Sequence, residues 1–163
     1  MLQIINAAAQ AYRGAIPADC WHEPYMSADA FEGERRRGVR FQGYVEDGRL
    51  VGVMGFEPVR NVHLIRHAYV DPDLQGRGIG GHLLRHVLAE HPGQFLVGTW
   101  TDATWAVRFY QHHGFALPSA PMQQLLLRTY WTIPPRMADR SVALASPLLT
   151  DDATRQLVAA AQA

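Results

Sequence analysis

Apolar positions recur along this chain with two different periods, and the switches between them outline its elements. Leu2, Ile5, Ala9 and Tyr12 fall near helical spacing, predicting a helix over 2–13 that ends at Gly14, with Pro17 just beyond. Residues 17–27 carry no period and form a loop rich in aromatic and polar groups. Ser27 then has the chemistry of an N-cap for a short helix running to about Arg37. Strands over 41–46 and 49–57 flank Asp47-Gly48, a strong two-residue hairpin signal. Residues 58–61 turn the chain into a strand over 62–70. Leu83, Leu84, Val87 and Leu88 stripe a helix over 80–90 that Pro92-Gly93 stops. The next strand, 94–100, should lie parallel to 62–70 through a right-handed crossover. A helix over 102–113 follows, then a short strand near 114–118 and a helix over 122–131. A last strand, 141–146, is expected to hairpin with 114–118, and Thr150 caps a closing helix over 151–162. The pattern is α/β.

The richest segment joins strand to helix: Asp71-Pro72-Asp73-Leu74-Gln75-Gly76-Arg77-Gly78-Ile79-Gly80-Gly81. Its glycines have no Cβ to hold a ligand away from the main chain. The first amides of the helix have no intrahelical partner, and the helix dipole adds partial positive charge there. Arg77 supplies a full charge whose planar fork suits phosphate. Such a loop should hold a diphosphate. Gly76, Gly78 and Gly81 also satisfy the dinucleotide-binding spacing, but that turn begins at the strand end, whereas residues 71–75 intervene here.

Gln75-x-x-Gly78-x-Gly80 after Tyr69-Val70-Asp71-Pro72 resembles motif A of the GNAT superfamily of N-acetyltransferases. Ala106, Phe109, Tyr110, Gly114 and Phe115 likewise fall on that family's motif B, with Ala103 where the motif has asparagine and Asp102 beside it as a possible helix cap. Together the motifs span about residues 62–116. The resemblance implies a mixed central sheet with helices on both faces and parallel central strands that splay apart. It implies acetyl-CoA as cosubstrate, with the pyrophosphate on Gln75, Gly76, Arg77, Gly78, Ile79, Gly80 and Gly81. The pantetheine arm would lie along the backbone of Ala68, Tyr69 and Val70. GNAT domains normally open with a strand; this chain opens on a helix, so that first strand is expected to be missing, truncated or supplied by a partner. One domain over 1–163 is expected, with a core over about 1–118 and residues 119–163 completing or covering it.

Tyr110 is the first candidate for a catalytic group, because the resemblance puts its hydroxyl near the thioester sulfur. An ordinary tyrosine titrates about 1.5 units above a thiol, so donation of a hydrogen bond to the departing thiolate is favoured over full proton transfer. An acceptor amine must also shed a proton, at a cost of about 4.6 kcal/mol for a lysine-like amine at pH 7. Where some family members carry a glutamate for this, this chain has Leu64; His67 on the same strand and Glu57 at the end of the preceding one are the substitutes. The resemblance assigns the acceptor site to the loop after the first helix, which offers Trp21, His22, Glu23, Tyr25 and Met26, with Tyr130 and Trp131 on the other side. Aromatics with a carboxylate suit a cationic amine with an apolar body.

Bulk properties add exclusions. The 163 residues suit one domain, and a formal net charge of zero argues against nucleic-acid binding. Cys20 is the only cysteine, so no disulfide framework or thiolate cluster can form. His82 and His86 are spaced as a metal pair but lack a third ligand, and no metal is expected. The absence of a membrane-length apolar run or a signal pattern predicts a cytoplasmic protein. The expected activity is acetyl transfer to a small-molecule primary amine, with a homodimer as the expected assembly. The alternatives are a protein or peptide amine as acceptor, or a non-catalytic acyl-CoA-binding module.

Overall fold

The computed structural model describes residues 1–163. In chain order the elements are α1 (Leu2–Ala9), α2 (Ala28–Arg37), β1 (Arg40–Glu46), β2 (Arg49–Val59), β3 (Val62–Val70), α3 (Ile79–Glu90), β4 (Phe95–Trp100), α4 (Thr104–His112), α5 (Ala120–Tyr130), α6 (Pro135–Ala138), β5 (Ser141–Ser146) and α7 (Asp151–Gln162). The strands form one mixed sheet in the order β1-β2-β3-β4-β5, flanked by helices. The first strand in chain order follows two helices, as the sequence predicts. No helix is long and apolar enough to cross a membrane.

The chain divides into two compact units, 1–57 with 65–92, and 58–64 with 93–163. In the first, β1 and β2 pair antiparallel around Asp47 and Gly48, both with positive φ, the geometry a two-residue hairpin requires. Its core gathers Ile4, Ile5, Met26 and Val53, with Phe31 and Phe41 packed against them. Asn6 on α1 clamps the loop ahead of α2, its amide nitrogen donating to Met26 O at 2.9 Å and its oxygen accepting from Met26 N at 2.8 Å. Ser27 caps α2 through the Ala30 amide, and Gly38 ends it in the left-handed conformation.

The second unit buries Leu64, Leu96, Leu126, Leu127 and Ala143. Here β5 pairs antiparallel with β4 along its whole length, from Phe95 opposite Ser146 to Trp100 opposite Ser141. The strand expected over 114–118 is reduced to a single bridge between Ala116 and Ala145. On the edge of β5 that β4 leaves open, Ala116 exchanges both backbone hydrogen bonds with Ala145, and the pairing goes no further. Tyr130 and Trp131, expected at the acceptor site, pack on this core. The Tyr130 hydroxyl donates to Asn61 Oδ1 at 2.9 Å, and the Trp131 ring lies against Gly98.

Within β3, His67 departs from strand geometry, with φ of +49°. A non-glycine residue there is held against its own preference by about 1–3 kcal/mol, so its surroundings must impose it. Gly55 on β2 is part of the imposition, because a Cβ at this position would sit 3.0 Å from the Arg66 carbonyl oxygen and 2.9 Å from Val39 Cγ1. Gly55→Ala is therefore expected to lower stability by about 1–3 kcal/mol through overpacking against main chain. Urea unfolding monitored by circular dichroism checks this, and unchanged stability would mean that β3 yields freely at the kink.

Candidate functional site

Asp71 fixes the exit from β3. Its backbone amide donates to Val51 O at 2.9 Å, its side chain accepts from the Asp73 amide, and Arg49 closes on Oδ2 at 2.5 Å. After a short 3-10 turn over Pro72–Leu74, Gln75 Nε2 donates back to Val70 O at 3.3 Å. The chain then passes through Gly76 and Gly78 at φ of +78° and +82°, and nothing lies within 4 Å of where their Cβ atoms would be. Gly78 is the N-cap of α3, with no side-chain cap and no acidic residue in the first turn. The amides of Ile79, Gly80 and Gly81 therefore have no intrahelical acceptor. This is an open, uncapped helix N-terminus behind a loop without side-chain bulk, and the predicted cradle residues are brought together in it.

Arg77 departs from the expected posture. Its guanidinium grips Glu46 at the end of β1, with Nη1 3.1 Å from Oε2 and Nη2 3.3 Å from Oε1. Both side chains are substantially exposed, so the pair is weak and leaves the arginine free to exchange partners. His82, Arg85 and His86 stand exposed on the face of α3 opposite its buried stripe of Leu83, Leu84 and Val87. No group of three or more His, Cys, Asp and Glu side chains is placed to hold a metal ion.

The two predicted base candidates meet in one polar cluster, organised by a residue that sequence reasoning missed. Glu34 is the only buried position of α2. Its Oε2 accepts from His67 Nε2 at 3.0 Å and from Arg66 Nη2 at 2.9 Å, while Oε1 accepts from Arg37. Arg66 reaches Glu57 Oε1 with its other nitrogen at 3.1 Å. Consecutive residues on a regular strand point to opposite faces; Arg66 and His67 converge on one oxygen across the left-handed kink. The His67 ring also stacks on Phe41, centroids 5.8 Å apart. The available signal for Glu34 was its place three residues after Phe31, a carboxylate on the apolar face of a helix.

Burial by itself would raise the Glu34 carboxyl, but the hydrogen bond from His67 and the charges of Arg66, His67 and Arg37 outweigh it and bring it down to about 2. A cavity of about 720 Å³ lies alongside, lined by residues of α2 and β1 that include Phe31, Arg35 and Phe41. It contains none of the residues predicted for the site.

The predicted acceptor loop forms an aromatic cluster. Tyr25 stacks on Tyr12 with centroids 6.1 Å apart, packs on Trp21 at 5.7 Å and meets Tyr69 of β3 edge-on at 6.4 Å. Burial raises the Tyr25 hydroxyl above its ordinary pKa, opposed in part by a hydrogen bond with Tyr69. Glu23 is exposed and takes a long hydrogen bond from Gln10 at 3.4 Å, and His22 is exposed beside it. The loop thus joins Tyr25 to β3 and leaves His22 and Glu23 at its rim.

In the second unit, Tyr110 is buried on α4, edge-on to Phe109 at 5.1 Å and to Phe115 at 5.5 Å. Ala103 is the N-cap of α4 and makes no side-chain cap bond. Asp102, expected to cap, instead reaches Arg140 Nη2 at 3.5 Å.

The sequence profile of the acetyltransferase (GNAT) domain matches residues 38–117. No curated protein matches the chain in sequence. Among solved structures, the chain is similar to the PaiA N-acetyltransferase of Thermoplasma acidophilum in complex with coenzyme A, at TM-score 0.63 and 15% identity over 88% of each chain. It is similar to a GNAT acetyltransferase of Elizabethkingia anophelis with acetyl-CoA bound, at TM-score 0.55 and 18% identity over 80% of this chain and 89% of that one. A ribosomal-protein-alanine N-acetyltransferase of Brucella melitensis matches at TM-score 0.54 and 20% identity, covering 71% of this chain and 76% of that one.

The Glu34 cluster makes a prediction about acid stability. Its folded carboxyl lies at about 2 against an ordinary 4.5, so folding favours the ionised form. That stabilisation is fully present above pH 4.5 and is lost as pH falls toward 2. The shift corresponds to about 3 kcal/mol. Urea unfolding between pH 5 and pH 2 should show wild-type protein losing about that much more stability than Glu34→Gln. Equal losses in the two proteins would contradict it.

Proposed function

The chain belongs to the GNAT acetyltransferases, and on that premise we propose that it passes the acetyl group of acetyl-CoA directly to a primary amine of a small molecule. The observation that carries the donor half is the uncapped N-terminus of α3 behind Gly76 and Gly78, inside the matched domain. In this reading residues 75–81 hold the pyrophosphate, and Arg77 exchanges Glu46 for phosphate oxygen. The backbone of Ala68, Tyr69 and Val70 receives the pantetheine arm. The amine nitrogen attacks the thioester carbonyl carbon, the N–C bond forms, and the C–S bond breaks with its electron pair on sulfur. Tyr110 donates a hydrogen bond to that developing thiolate. His67 and Glu57 are the groups considered for the amine proton.

The acceptor half rests on the aromatic cluster of Tyr12, Trp21, Tyr25 and Tyr69, whose faces suit an amine on an apolar body. A protein amine is the second reading, favoured by the fold shared with the ribosomal-protein-alanine N-acetyltransferase. Release of free CoA thiol from acetyl-CoA, measured with phenethylamine and with a short alanine-ended peptide, separates the two. Turnover with phenethylamine alone is expected, and turnover with the peptide alone would transfer the assignment to protein amines.

Two variants test the donor machinery. Gly78→Leu puts a side chain into the cradle at a left-handed residue, and CoA affinity by calorimetry should fall by at least about tenfold. Unchanged affinity in a folded variant would remove the loop from the binding site. Tyr110→Phe keeps the ring beside Phe109 and Phe115 and removes only the hydroxyl. Its kcat should fall about 100-fold with little change in KM for acetyl-CoA. Wild-type turnover would make Tyr110 a packing residue only.

A further inference from the structure

We propose that Glu34 is a positioning residue that fixes His67 as the general base of the acetyl transfer, with Nδ1 of His67 as the atom that takes the amine proton. The inference rests on the amine reading above and selects between the two base candidates that it carries.

A neutral imidazole has one N–H and one bare nitrogen. An ionised carboxylate can only accept, so at 3.0 Å from Glu34 Oε2 the His67 Nε2 must carry the hydrogen. The lone pair is thereby assigned to Nδ1, which has no hydrogen-bond partner within the protein. The opposite tautomer would press a nitrogen lone pair against carboxylate oxygen. Phe41 stacks on one face of the ring while Glu34 holds its Nε2 edge, and together these contacts orient it. About 15% of the His67 side chain remains exposed, enough for a ligand atom to touch the ring edge.

The charges around the pair fit the role. Glu34 faces Arg37 from its own helix and Arg66 and His67 from β3, and Glu57 of β2 lies on the far side of Arg66. Two carboxylates and two guanidinium groups leave the cluster neutral while His67 is neutral. When Nδ1 accepts a proton, the new imidazolium forms against a carboxylate already ionised, and carboxylate attraction replaces lost hydration. Glu57 Oε1 is already occupied by Arg66 at 3.1 Å, so an amine proton arriving there would have to displace an ion pair. The step balances: Nδ1 takes one proton from the ammonium group before attack and yields it to solvent, the freed lone pair forms the N–C bond, the C–S electron pair leaves on sulfur, and the second proton shed by the attacking nitrogen goes to the thiolate.

Two measurements test the assignment. Long-range ¹H–¹⁵N correlation on histidine-labelled protein, assigned with His67→Gln, should show neutral His67 as the Nε2–H tautomer. An Nδ1–H tautomer would overturn the proposal whether or not any amine is acetylated. The second compares phenethylamine with phenylhydrazine, which has a similar apolar body but is already neutral at pH 7. Glu34→Gln should lower kcat on phenethylamine by about 100-fold, as loss of base catalysis does, with KM for acetyl-CoA unchanged. The same variant should be largely spared on phenylhydrazine, and Glu34→Gln/His67→Gln should be no slower than His67→Gln alone. Equal losses on both amines would make Glu34 merely structural, and no loss on either would remove it from the mechanism. Wild-type enzyme that binds acetyl-CoA and acetylates neither amine would instead overturn the small-amine reading, and the base role with it.

Discussion

A carboxylate taken out of water must be met by donors, and the way Glu34 meets this requirement shapes the first unit. One donor is Arg37, a turn along the same helix; the others, Arg66 and His67, are consecutive residues of β3. Neighbours on a regular strand diverge, so bringing both to one oxygen is linked to the left-handed turn at His67. That turn moves the Arg66 carbonyl onto β2, where only glycine fits at position 55. A single buried charge thus ties α2, β2 and β3 together, and leaving any of its donors unpaired would expose the cost of burying it.

The same strand then leads to the glycine loop. From the kink at His67 to Val70 is about 10 Å of extended chain, and Asp71 stops it by taking hydrogen bonds and an ion pair from three directions. The rigid strand end and the side-chain-free loop do opposite jobs. The first fixes where α3 begins, and the second leaves its amides exposed. In the proposed reading, the polar cluster and the anion cradle therefore stand on one continuous segment, and their separation is set by covalent geometry and not by loop motion.

Much of this fold was legible in the sequence. The periodic stripe of α3, the Asp47-Gly48 hairpin, β5 and the Thr150-capped α7 all carry local signals that the packing did not override. The glycine loop was legible for the same reason, since backbone needs are written in residue type. What was not legible is pairwise. Asp102 reads as a cap until Arg140, distant in sequence, takes its carboxylate. Residues 114–118 read as a strand, and only Ala116 of them pairs, with Ala145 on the free edge of β5. The partners of Tyr130 and Trp131, Asn61 and Gly98, are likewise distant in sequence and unmarked by any local signal. Glu34 sits in a run of Glu and Arg that reads as a solvated face, and only its spacing three residues after Phe31 marks it as the carboxylate that faces inward.

Arg66 shows why the base question needs pairwise geometry. In sequence His67 and Glu57 stand as alternative substitutes, one within a strand and the other at the end of the preceding one. In the fold, one arginine divides them, binding Glu57 with one nitrogen and Glu34 with the other. A proton arriving at Glu57 must displace the guanidinium that holds it, whereas a proton arriving at His67 Nδ1 meets no such pair and forms a charge beside a carboxylate. The arginine that pairs with Glu57 also helps to keep Glu34 ionised, so one side chain sets the two candidates apart.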